Sequence, residues 1–326
     1  MQGTTPAYLF IGLIAGLVSA LMFAAAQTGS ALFLLLFFVI PVPIYLAGLG
    51  WGAISALAGA ISGASAIAVM ANVHSALFFL LSVGVAPVLI SHFALKSRAS
   101  LNEDGSEGPG REWYPEGRLV LISAAFIAGA VVVAVFTSGI SPADLVKIGE
   151  ELTDNWPKPP AGIDPQAALA FDQLRESMKR FAPHMITISA VGWTVFVVIG
   201  WALAAKILSA AGRNVRTWAP FHKLDFPRTA SVALAVAVLA SFMTGQFGLI
   251  GSAALAALLT AFFILGLACV HGLVAKSSAR LPLLFGLYAI LLIFHVIAAP
   301  AVLLLGLAEH IAGLRARFAG ITPTPS

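Results

Sequence analysis

Nine apolar stretches dominate the chain, at roughly 7–27, 30–48, 50–71, 74–95, 118–138, 183–211, 229–246, 249–275 and 281–311, and none carries a charge near its middle. About 20 residues of helix cross a hydrocarbon core. Lipid offers the backbone no hydrogen-bond partners, so stretches of this kind must close their hydrogen bonds internally as helices. The pattern predicts an all-α, polytopic transmembrane helix bundle of eight or nine spans, forming one integral membrane domain over residues 1–326. Turn and breaker residues punctuate it at Gln27-Thr28-Gly29-Ser30, Gly48-Leu49-Gly50, Asn72-Val73-His74-Ser75 and Gly248. Pro41-Val42-Pro43 marks a kink or break within 30–48, because proline removes a helical donor.

Three polar stretches separate the apolar ones. Residues 96–117 are rich in Gly, Ser and charge and read as a flexible cytoplasmic loop, while 212–228 form a basic cytoplasmic loop carrying Arg213, Arg216, Lys223 and Arg228 against Asp225. Residues 139–182 form an extracytoplasmic amphipathic excursion. Within it, Ser141-Pro142 and Asp164-Pro165 each place an N-cap residue before a proline at the first helical position. Ala167, Phe171, Leu174, Met178 and Phe181 then share one stripe, opposite Asp172, Arg175, Glu176 and Lys179; Leu145, Ile148 and Leu152 make a shorter stripe. Two short amphipathic helices follow, serving as a connector resting on lipid or as a lid.

Charge orients the chain. With the spans alternating, eleven basic residues in and around 96–118, 206–228 and 276–280 fall on one side, and five (Lys147, Lys158, Arg175, Lys179 and Arg180) fall on the other beside seven acids. The richer side with short loops is cytoplasmic, which makes the N-terminus cytoplasmic as well. Arg315 and Arg317 test this scheme: one span over 281–311 would send them outside, whereas a kinked or re-entrant pair around Pro300 would return them. Phe23-Ala24-Ala25-Ala26-Gln27 resembles a signal-peptidase site, but residues 1–7 contain no Lys or Arg, so 7–27 reads as a retained span.

Composition adds exclusions. The 326 residues are 60% hydrophobic and 10% charged, against about 25% charged in soluble domains. The net charge of +4 belongs to topology-setting loops rather than to nucleic-acid binding. A single cysteine, Cys269, rules out a disulfide framework and a cysteine-based metal site. Of fourteen acids, only Glu309 falls inside an apolar stretch, near its end. Ion-coupled pumps and intramembrane hydrolases need ionisable groups within the membrane, so the reading is a non-enzyme without catalytic residues, metal or cofactor. The seven histidines are dispersed, and no phosphate-binding glycine loop is present.

Two patterns carry candidate function. Neutral hydrogen-bonding residues gather at the outer ends of the spans: Gln27, Thr28, Asn72, His74, Thr137, His184, Thr244 and Gln246. Span ends are polar in any case; the functional alternative is a site for a neutral or weakly polar small molecule. Gly12, Gly16, Ala20 and Ala24 make a smooth face along the first helix, and Ala56, Gly59, Ala60 and Gly63 repeat the device in the third. Such faces let helices approach closely, within the bundle or against a separate membrane subunit.

Pro41-Val42-Pro43-Ile44 with Gly50-Trp51-Gly52, Phe221-His222-Lys223-Leu224-Asp225-Phe226-Pro227, and Gly306-Leu307-Ala308-Glu309-His310 followed by Arg315 and Arg317 together resemble the YybS-like family (domain of unknown function 2232) of bacterial multi-pass inner-membrane proteins. The family is distantly similar to substrate-binding subunits of energy-coupling-factor transporters. That resemblance implies docking of Ala20 and Ala24 on a transmembrane coupling subunit driven by ATPases. The expected function is a small-molecule-binding subunit of a transporter energised by partner subunits; the alternative is a non-catalytic membrane scaffold or assembly factor working through the basic 212–228 loop. A lipid-modifying enzyme has least support, for want of catalytic groups.

Overall fold

The computed structural model describes residues 6–27, 38–101, 107–155 and 164–318. They fold as helices α1 (Pro6–Ala26), α2 (Val42–Trp51), α3 (Ala53–Met70), α4 (Val73–Phe79) continuing through a π turn (Leu80–Gly84) into α5 (Val85–Ala94), α6 (Glu116–Ser138), α7 (Pro142–Asp154), α8 (Pro165–Phe181), α9 (Met185–Ala210), α10 (Thr229–Ser241), α11 (Gly245–Leu273), α12 (Arg280–Ile293), α13 (His295–Ala312) and α14 (Leu314–Phe318). Strands β1 (Ser97–Leu101) and β2 (Glu107–Trp113) add one antiparallel ribbon.

Seven stretches among the described residues are long and apolar enough to cross a membrane: α1, α3, the α4–α5 run, α6, the run ending in α9, α11 and α13. Three further apolar helices, α2, α10 and α12, are shorter, and the apolar residues before α2 lie outside the described ones, so the count roughly fits the eight or nine spans expected from the pattern. The joint expected at Gly48–Gly50 lies instead at Gly52. Its φ of 107° is a conformation that glycine alone adopts freely, so α2 runs on to Trp51. Pro41 and Pro43 stand at the start of α2, where an early helical turn tolerates a missing N–H, and residues 30–37 of this apolar stretch lie outside the described residues. Pro87 sits inside α5, and the π turn one helical turn upstream loosens the ladder where its ring would crowd the Val83 carbonyl.

The segment 96–117, whose composition suggested a flexible loop, holds the β ribbon: Ser97 pairs with Trp113, Arg98 with Glu112 and Ala99 with Arg111. Glycine and charge had hidden the alternation that marks a strand. The last apolar stretch divides at Phe294 into α12 and α13, with Pro300 inside α13 and Gly313, left-handed at φ 58°, closing its C-terminus.

The described chain groups into two compact units. One comprises Met1–Ser123, Val195–Pro227 and Ala261–Ser326; the other comprises Ala124–Thr194 and Arg228–Thr260. Three of the four boundaries fall inside α6, α9 and α11, and the fourth, after Pro227, precedes α10.

In the first unit, α1 lies on α3 at backbone distance. A Cβ at Gly12 would stand 2.1 Å from the Ser55 carbonyl oxygen, and one at Gly16 would stand 2.0 Å from that of Gly59. Ser55 Oγ donates to the Tyr8 carbonyl at 2.8 Å, and Ser62 Oγ donates to that of Leu13 at 3.0 Å. Ala20, Ala56, Ile44, Phe79 and Val83 fill the core beside this contact. In the second unit the two caps form as their residues require. Ser141 and Asp144 make a reciprocal capping box on α7, and Asp164 Oδ1 accepts from the Gln166 N–H on α8. Leu145 is buried, and Gly149 lets Ala182 approach to a distance no side chain would permit. Among the described residues of α8 none is fully buried, and Leu174, Met178 and Phe181 of its apolar stripe are exposed while Phe171 is half-buried.

Candidate functional site

A concave pocket of about 530 Å³ opens where the C-terminal end of α1 meets the α3–α4 turn. Phe23, Ala24 and Gln27 line it from one side; Ile67, Met70 and Ala71 from a second; His74, Ser75 and Phe78 from a third. Its volume is in the range of small-molecule sites, roughly 300–1,000 Å³. The walls are held from below. Phe23 meets Phe79 edge-on at 5.4 Å between ring centroids, and Gly63 leaves the space that the Phe79 ring occupies. Asn72 shapes the rim, because its Oδ1 accepts the Ser75 N–H at 2.8 Å and so starts α4 with His74 in the first turn. Gln27 and His74 are the pocket's long polar side chains. They can hold one or two hydrogen-bonding groups of a guest whose remainder lies against Phe, Ile and Met.

The seven ligand residues suggested by the sequence thus divide. Gln27 and His74 line one pocket with Asn72 at its rim, whereas Thr28 lies outside the described residues. His184, Thr244 and Gln246 belong to the other compact unit. There His184 and Thr244 are exposed, and Gln246 Nε2 donates to the Ile140 carbonyl at 3.2 Å. Thr137 turns its hydroxyl back on the Val133 carbonyl of its own helix. On the small-residue face, Gly12, Gly16 and Ala20 are buried, the two glycines against α3, while Ala24 contributes to the pocket wall. The helix-approach role of this face is therefore filled within the chain.

Two arginines organise the polar end of the same unit, and sequence reasoning missed both roles. Arg216, grouped by its neighbours with solvent-facing loop cations, is buried. Its Nη1 donates to the carbonyls of Ala94 at 2.9 Å and Tyr114 at 3.0 Å, and its Nη2 donates to Glu116 Oε1, which also accepts the Ala219 N–H. The guanidinium stacks over Trp218 at 4.2 Å, and Trp218 in turn stacks on Trp201. Burial draws the Arg216 pKa below the ordinary arginine value, while the Glu116 carboxylate opposes that shift. Arg315 makes the second clamp. Its Nε and backbone N–H hold the two oxygens of Glu309, and its Nη1 and Nη2 donate to the carbonyls of His222 and Leu224. Cys269 Sγ donates to Glu309 as well.

These clamps fasten residues 212–228 to the ends of α5, α6 and α13. Gly117 completes the seat, because a Cβ there would fall 1.7 Å from the Asp225 carbonyl oxygen. They also answer the question left by the last apolar stretch. Arg315 sits on the 212–228 loop, so the chain that leaves this polar end at Arg280 is back there after α12 and α13. The useful signals were Trp113, Trp218 and the lone Glu309: aromatic and acidic residues beside an arginine mark where a guanidinium can be buried.

Among the described residues, no group of three or more His, Cys, Asp or Glu stands together as a metal site. No curated protein and no solved structure matches the sequence. The family described as "Predicted membrane protein (DUF2232)" matches residues 16–309. With its bilayer-length helices and internally clamped polar end, this chain belongs to that family of multi-pass membrane proteins.

Proposed function

We propose that this protein binds a small, largely apolar molecule in the Gln27–His74 pocket and serves as the membrane-embedded binding subunit of a transporter, without catalysing a reaction itself. The observation that carries the reading is the convergence of two polar side chains on an apolar concavity of guest-sized volume. Energy would come from partner subunits, since the sequence holds no nucleotide-binding motif. With Gly12 and Gly16 packed on α3, a coupling subunit would dock on lipid-facing surfaces such as the outer flank of α1, where Phe10 and Leu21 are exposed. The charge asymmetry supports an orientation with residues 96–117 and 212–228 in the cytoplasm, and the bacterial inner-membrane setting rests on the family resemblance.

The test is mass spectrometry of small molecules released when the protein, purified in mild detergent, is denatured. The wild type should release a low-mass species that Ala71→Phe, which fills the pocket from an exposed position, and His74→Leu both lose. Identical release from all three would sink the pocket reading. The scaffold alternative rests on Arg213 and Lys223, both exposed on a loop that the clamps hold in one shape. Recovery of soluble partners that Arg213→Glu and Lys223→Glu abolish would favour it.

A further inference from the structure

A second polar constellation lies away from the pocket, at the end of the same unit that carries the 212–228 loop. His271, in the last turn of α11, shares a hydrogen bond of 3.0 Å between Nε2 and the Tyr288 hydroxyl of α12. Phe221 meets the His271 ring edge-on at 5.2 Å, and the His222 carbonyl lies beside Gly272. Lys206, one turn before the end of α9, and Arg280, the first residue of α12, both stand close enough to His271 to act on its charge, as does His222. Four elements thus contribute two fixed cations, two imidazoles and a hydroxyl to this end of the unit.

The acids that could neutralise this cluster are engaged elsewhere. Glu116 is held by Arg216 and Glu309 by Arg315, while Asp225 Oδ1 accepts from the Phe226 N–H and its charge acts on His310. Among the described residues neither Lys206 nor Arg280 has an ion pair. The cluster is therefore a net positive site with free donors.

Its position says what kind of anion it meets. Lys206, His271 and Arg280 lie at the ends of apolar helices, the level at which lipid phosphates sit. Beneath them Leu281, Phe285, Tyr288 and Leu292 follow one face of α12 at helical spacing, and Leu281 and Phe285 are 80% and 78% exposed. A soluble anion would use the cations alone. A phospholipid would use both parts, its phosphate on the cluster and its acyl chains along the stripe. We propose that Lys206, Arg280, His271 and Tyr288 form a binding site for the phosphate of an anionic phospholipid headgroup, with α12 guiding the acyl chains. This site is independent of the Gln27–His74 pocket.

The experiment is native mass spectrometry of the whole protein in mild detergent, titrated with phosphatidylglycerol, phosphatidylcholine or inorganic phosphate. Wild type should retain phosphatidylglycerol in preference to phosphatidylcholine. Each cation facing an anionic headgroup is worth about fivefold in binding, so Lys206→Gln with Arg280→Gln should lower phosphatidylglycerol retention by about thirtyfold. Tyr288→Phe should lower it by a smaller factor. Arg111→Gln with Arg213→Gln, which removes the same charge from exposed positions of the same unit, should leave retention near wild type. All these positions are exposed or only partly buried, so the variants are expected to fold, and an unchanged elution profile checks it. Equal loss in the control pair would reduce the effect to a general field. Equal retention of both lipids, or inorganic phosphate displacing phosphatidylglycerol at low millimolar concentration, would overturn the lipid site.

Discussion

Replacing Arg216 with methionine keeps the buried stem and deletes the guanidinium, so it isolates what the first clamp contributes. Several interactions go together: the ion pair with Glu116, the bonds to the Ala94, Tyr114 and Thr217 carbonyls, and the contacts with the Trp218 and Trp113 rings. Ala94 is the last residue of α5, whose terminal carbonyls have no partner within the helix. Glu116 is left with the Ala219 N–H and no cation in a site that is mostly shielded, its side chain being 17% exposed. Breaking a buried pair from one side costs about 3–5 kcal/mol, and these losses are not additive because they share one group. Glu116→Gln leaves Arg216 its carbonyls and its tryptophan, so about 1.5–3 kcal/mol is expected. The double variant should cost less than the sum of the two by at least about 1 kcal/mol. Unfolding of the purified protein by increasing dodecyl sulfate in mixed micelles, followed by tryptophan fluorescence, measures all three. Exposed Arg213→Gln is the reference and should stay within about 0.5 kcal/mol of wild type. An Arg216→Met variant as stable as that reference, or strict additivity in the cycle, would refute the clamp.

Gly16→Val places a branched side chain where the Gly59 carbonyl already stands; it should separate α1 from α3 and cost about 3 kcal/mol or more. Gly192→Ala, with open space at its Cβ position, should be neutral or stabilising by up to about 1 kcal/mol in the same unfolding assay. The docking of Arg315 on the 212–228 loop predicts one side for both. Cysteines at Arg213 and at exposed Phe318 should react with an impermeant maleimide from the same side of sealed vesicles, and reaction from opposite sides would contradict the returning α12–α13 pair. The α7 cap is pH-sensitive with a definite sign. Hydrogen bonds from Ser141 hold the Asp144 pKa below the ordinary carboxylate value, so the cap's stabilisation is complete above that ordinary value and fades as pH falls through the depressed one. Amide exchange of α7 should accelerate over that acidic interval in wild type and show no such step in Asp144→Asn.

What the sequence determined by itself was the solvent and the elements. Long uncharged stretches have one solution in lipid, so the helical class, most helix positions and the multi-pass topology follow from spacing alone. Local chemistry also suffices where a structure depends on neighbours in the chain: Ser141 and Asp164 cap the helices that their prolines begin, because a cap needs only residues two or three positions away. Tertiary structure decided which of several equivalent polar residues meet. Gln27 and His74 share a pocket in one unit, and Gln246 bonds to the Ile140 carbonyl in the other, since which span ends lie side by side depends on helix packing that hydropathy does not encode. It also decided the meaning of Arg216. A one-dimensional charge count sees a cation among cations, yet its acceptors are the carbonyls of Ala94 and Tyr114, more than a hundred residues away in the chain. Backbone acceptors exist at every residue and leave no mark in a sequence, so only the folded chain can show which arginine has found them.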